Sequence, residues 1–100
     1  MNISYTRGNT VPIIFTLDAS PTVTAAKFIV REHKDDSTET PIVSLTLGSG
    51  LTVSGSMVTV SMPIITAAAR PYFYGLELTV DGYIETVAKG RFDLEPEVSQ

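Results

Sequence analysis

Apolar and polar residues alternate with a period of two through most of the chain, the signature of β-strands with one buried face. Ile3 and Tyr5 alternate with Asn2, Ser4 and Thr6. The turn residues Arg7-Gly8-Asn9-Thr10 follow. Val11, Ile13, Phe15 and Leu17 then share one face of a second strand. Pro12 lacks an amide donor, which suits an edge or bulge position. Ala26, Phe28 and Val30 form the inward face of a third strand, with Lys27, Ile29 and Arg31 on the other. Residues 42–47, 51–54 and 57–62 read as three more strands, broken at Gly48-Ser49-Gly50 and Gly55-Ser56. Residues 63–71 are the only helix candidate: Thr66 could cap one turn, three alanines favour it, and Pro71 ends it.

The clearest signal is Asp81-Gly82, a hairpin turn between two β-patterned runs, 72–80 and 83–94. Tyr72, Tyr74, Leu76, Leu78 and Val80 share one face of the first arm. Ile84, Thr86, Ala88, Gly90, Phe92 and Leu94 share one face of the second. A two-residue turn pairs Val80 with Tyr83 and puts these two sets on opposite faces, since a one-residue slip flips every side chain. A three-residue loop, with Gly82 left-handed and a bulge, restores the match and is the predicted form.

Together these signals predict an all-β fold: an antiparallel immunoglobulin-like β-sandwich of about seven or eight strands with one short helical crossover turn. The expected core is Val11, Ile13, Phe15, Phe28, Val30, Leu45, Val58, Val60, Tyr74, Leu76, Leu78 and Phe92. The domain is expected to span residues 1–94, with 95–100 a polar tail.

With 100 residues, the chain is long enough for one core. It is 43% hydrophobic and only 18% charged, which leaves apolar surface to hide in a partner. The net charge of −4 argues against nucleic acid and anionic membranes as partners. No window approaches the roughly 18 apolar residues of a membrane span, and residues 1–7 lack a signal-peptide core. The absence of cysteine fits assembly in the cytosol.

Candidate chemistry is sparse. His33, Asp35, Asp36 and Glu39 lie in the most polar run, but without the spacing or glycine of a calcium loop. No Gly-x-Ser-x-Gly accompanies the single histidine. Gly48-Ser49-Gly50 precedes a strand, so it reads as a hairpin turn and not as a phosphate cradle. No catalytic residue, metal ligand or cofactor site is therefore expected, and the chain reads as no enzyme. Tyr72, Phe73, Tyr74 and Tyr83 gather near Arg70 and Arg91. Phe73 shares its face with Glu77, so it is the aromatic expected at a surface contact.

Several of these segments carry a resemblance. Arg7-Gly8-Asn9-Thr10 precedes an apolar strand. Leu51-Thr52-Val53 is followed by Met57-Val58-Thr59-Val60, and Thr66-Ala67-Ala68-Ala69 leads into Tyr72-x-Tyr74-x-Leu76-x-Leu78. Asp81-Gly82 and Gly90-Arg91-Phe92 complete the series. The chain resembles the immunoglobulin-like β-sandwich domain of tailed-phage virion proteins, similar to the N-terminal domain of phage baseplate upper proteins. The resemblance covers most of the chain and implies a non-enzymatic virion structural protein of tail, baseplate, neck or capsid surface. Its expected partners are other virion proteins, as a homo-oligomer or part of a larger symmetric assembly. Ile3 and Tyr5 are the strand expected to join a neighbour. The alternative is a carbohydrate- or host-surface-binding module using Arg70 and Phe73.

Overall fold

A computed structural model describes residues 2–17, 22–32, 41–65 and 67–96. Eight strands follow in order: β1 (Ile3–Thr6), β2 (Ile13–Thr16), β3 (Val23–Arg31), β4 (Val43–Leu47), β5 (Gly50–Ser54), β6 (Met57–Val60), β7 (Pro71–Val80) and β8 (Tyr83–Glu95). They form one curled sheet in the order β1-β8-β7-β3-β4-β5-β6-β2. The curl brings edge strand β2 back across β3 and β7. The Phe15 ring lies 6.2 Å from both Phe28 and Tyr74, which are themselves 6.0 Å apart. Phe28 is fully buried. Burial of such a side chain contributes about 1.5–3 kcal/mol, and this triangle ties the β2 end of the sheet to its middle strands.

The sheet is mixed, which corrects the expectation of a purely antiparallel one. β1 runs parallel to β8, with Ile3 beside Phe92 and Tyr5 beside Leu94. β4 and β5 are also parallel, with Thr46 beside Gly50 and Leu47 beside Leu51. Gly48-Ser49-Gly50 is therefore no antiparallel hairpin. The chain makes one tight loop there, with Gly48 and Gly50 at φ +84° and +104°, and continues in its original direction. A side chain at Gly50 would also meet Leu45, since an added Cβ would sit 2.6 Å from Leu45 Cδ2.

No helix forms among the described residues of the 61–70 connection, and the expected cap Thr66 lies outside them. Two prolines bound a segment too short for a stable helix. Met62 and Ile65 instead drop into the core, each 4% exposed. The Tyr72 hydroxyl donates to the Ala68 carbonyl at 2.8 Å, and Leu94 N–H donates to the Arg70 carbonyl. These contacts tie Ala68 and Arg70 to β7 and β8.

The β7–β8 hairpin has a two-residue turn, with Val80 opposite Tyr83. Asp81 and Gly82 both have positive φ, 52° and 81°, the geometry of a type I′ turn. The predicted three-residue loop is thus incorrect, although the phase conflict behind it is real. It is resolved inside the strand: Leu76 pairs with Ala88 but Glu77 with Thr86, leaving Val87 as a bulge. Beyond the bulge Phe92 and Leu94 return to the core face, while Ile84 and Thr86 fall on the outer one.

The buried core includes Tyr5, Ala26, Val43, Leu51, Tyr72 and Leu94 beside most of the expected residues. Ile13 and Leu45 are only partly buried. Val11 is 61% exposed and belongs to no strand, because β2 begins two residues later. The polar run of His33, Asp35, Asp36 and Glu39 lies outside the described residues, as do residues 97–100 of the expected tail.

Candidate functional site

The alternation of β3, β7 and β8 sends one set of side chains to the core and the other to an outer face. On that outer face cross-strand pairing builds three rows. Lys27 faces Glu77, which faces Thr86; Ile29 faces Gly75, which faces Lys89; Arg31 faces Phe73, which faces Arg91. Gly75 occupies the centre of the array. A Cβ built there would meet no heavy atom within 4 Å, so the centre is open space. The result is a groove of about 160 Å³ lined by Lys27, Ile29, Arg31, Phe73, Glu77, Thr86 and Lys89 among others.

The electrostatics of the groove oppose those of the chain. Three cations and one carboxylate line it, on a protein of net charge −4. Arg31 Nε is shielded from solvent and has no hydrogen-bond partner among the described residues. Arg91 stands just outside, its Nε donating to Asp93 Oδ1 at 2.6 Å. That hydrogen bond and the Asp93 charge raise the Arg91 guanidinium above its ordinary value. No group of three or more His, Cys, Asp or Glu side chains is placed to hold a metal among the described residues.

A second feature is the outer edge of β8. β1 covers only Phe92 to Glu95, so residues 83–90 form an edge with no strand beyond it among the described residues. Tyr83 and Ile84, 78% and 72% exposed, stand at its tip.

The four surface residues singled out from sequence do not form one site. Phe73 is half-buried and walls the groove. Arg70 pairs with Glu32 at 2.7 Å and lies over the Tyr72 ring, 5.9 Å from its centroid. Ile3 is half-buried within the chain's own sheet. Tyr5 is only 7% exposed, and its hydroxyl donates to the Val11 carbonyl at 2.6 Å. Burial pushes the Tyr5 and Tyr74 hydroxyls up from 10.0. Tyr5 therefore packs inside this chain, where Phe92 lies 5.9 Å from its ring. The central residue of the groove, Gly75, escaped the sequence reading. Its signal was a glycine inside an apolar strand, far from any turn.

No family model matches the chain, and no curated protein does. Among solved structures, CopC from Methylosinus trichosporium OB3b aligns with a TM-score of 0.62 at 14% identity, over 99% of this chain and 88% of that one. The expectation of a phage virion structural protein, with its carbohydrate- or host-surface-binding alternative, is corrected accordingly: the chain aligns with CopC, whose source is no phage. At this identity the likeness is one of fold: an all-β chain whose eight strands form a mixed, curled sheet.

Proposed function

We propose that this chain is a non-enzymatic interaction module, an immunoglobulin-like sandwich that associates with a second copy of itself through the β8 edge. The observation that carries this reading is the outer edge of residues 83–90, which no strand covers among the described residues, with Tyr83 and Ile84 exposed beside it. A strand edge offers a row of backbone donors and acceptors, and adding a strand satisfies them. Two-fold association suits such an edge because the same patch serves both partners. The Val87 bulge and the exposed Glu85 limit the pairing, since bulges and charges oppose open-ended edge association. A closed dimer is the expected product.

Light scattering across a dilution series tests this. The expected result is a mass above the 10.8 kDa of one chain that falls towards it on dilution. Ile84→Lys should give the single-chain mass at every concentration with an unchanged melting temperature. A wild-type chain that is monomeric throughout, or an Ile84→Lys variant that dimerises equally well, would overturn the proposal.

A further inference from the structure

We infer that the outer-face groove centred on Gly75 is a binding site for a small organic carboxylate carrying an apolar body. The inference is independent of how the chain associates, and three observations on the groove converge on it.

The first is the glycine. Gly75 lies in the middle of β7 between β3 and β8, where glycine weakens a strand. Its φ is not positive, and a Cβ there would touch nothing, so neither backbone nor packing in this chain requires it. A glycine inside a strand marks a place where a ligand or another backbone comes close. Here its effect is to open the floor of the groove between Ile29 and Lys89.

The second is Arg31 Nε, a charged donor shielded from water without a partner among the described residues. An unsatisfied donor of this kind is costly, and a carboxylate oxygen is its natural acceptor. The Nε–H and a neighbouring Nη–H of a guanidinium donate to the two oxygens of a carboxylate in the two-pronged geometry that favours arginine at such sites.

The third is the lining. Lys27, Arg31 and Lys89 outnumber Glu77, so the groove attracts an anion although the chain repels one overall. Lys27 stands directly opposite Glu77, which occupies the acidic end and leaves the Arg31 end as the seat of the ligand charge. Phe73, opposite Arg31, and Ile29 give that end apolar walls. The groove holds about 160 Å³, below the roughly 300–1,000 Å³ of a drug-sized pocket. It therefore selects a small acid.

Amide chemical shifts of the intact chain, titrated with benzoate, test the site. Benzamide, of the same shape without the charge, is the control. Benzoate should give saturable shifts centred on Ile29, Gly75 and Lys89, and benzamide should give none. Gly75→Val fills the floor with a residue that favours strands. It should abolish the shifts while the melting temperature holds or rises. Arg31→Gln should weaken binding about tenfold or more, the loss expected for one charge-assisted contact. Absence of saturable shifts with benzoate, equal shifts with benzamide, or full binding by folded Gly75→Val would each overturn the inference.

Discussion

Val80 and Tyr83 face each other across the Asp81-Gly82 turn, and this pairing sets the rest of the hairpin out of phase. Were the ladder regular from there, Phe92 and Leu94 would point away from the core. They are 0% and 3% exposed, because Val87 takes no partner and shifts the strand by one residue.

Deleting Val87 should therefore be tolerated. Thr86 and Ala88 would become neighbours, which is what their partners Glu77 and Leu76 already are. The loss should be about 1–2 kcal/mol, from the half-buried valine side chain. Chemical denaturation should still show one cooperative transition. A variant without that transition would mean that the bulge supports more than register.

Phe28→Ala should be among the most damaging single changes. It removes the ring that Phe15 and Tyr74 both touch, at a cost of about 3–5 kcal/mol. Ile14→Ser is the matched control, since Ile14 is 53% exposed on the same edge strand as Phe15 and should shift stability by no more than about 0.5 kcal/mol. Urea midpoints at constant slope would compare the two.

Gly50→Ala should lose about 1–2 kcal/mol from the positive φ alone. The contact with Leu45 adds to this, because the new Cβ would lie 2.6 Å from its Cδ2. Shortening Leu45 to alanine in the same chain should recover the steric part and leave the backbone part. A double-mutant cycle on unfolding free energies would show this as a coupling between the two sites. Strict additivity would refute the steric account.

Stability should fall in alkali. Burial raises the Tyr5 and Tyr74 hydroxyls in the folded chain above their ordinary 10.0, so the unfolded chain releases these protons first. Their contribution is fully present below pH 10 and is lost as pH climbs from there through the folded values. Tyr5→Phe should flatten part of that fall. Melting temperatures taken across the alkaline range would check it, and identical profiles for variant and parent would exclude Tyr5 as a cause.

Alternation made β3 and β7 legible in the sequence, including the outward set Lys27, Ile29 and Arg31 that became one wall of the groove. It also exposed the phase conflict in the last hairpin. What alternation does not encode is where a strand takes up a slip, and Val87 looks like any other strand residue. The parallel partner of β1 was hidden for a related reason, since pairing between distant segments leaves no local period. Tyr5 read as an exposed edge residue because its strand is short and polar, yet Phe92 and the Val11 carbonyl were waiting for it. Gly75 stayed unseen because a missing side chain acquires meaning only when the eight neighbours around it are known.

The parallel pairing of the first strand with the last sets the order in which the molecule can form. Ile3 meets Phe92, a partner 89 positions away along the chain (92 − 3). On a ribosome β1 emerges before β8 and finds its seat only once β8 has been made. Tyr5 stays solvated until nearly the whole domain has been made. Contacts of such long range slow folding, because a large loop must close before they contribute. Completion of this sheet thus coincides with completion of β8, and a chain released before Leu94 would leave its first strand without a place to bind.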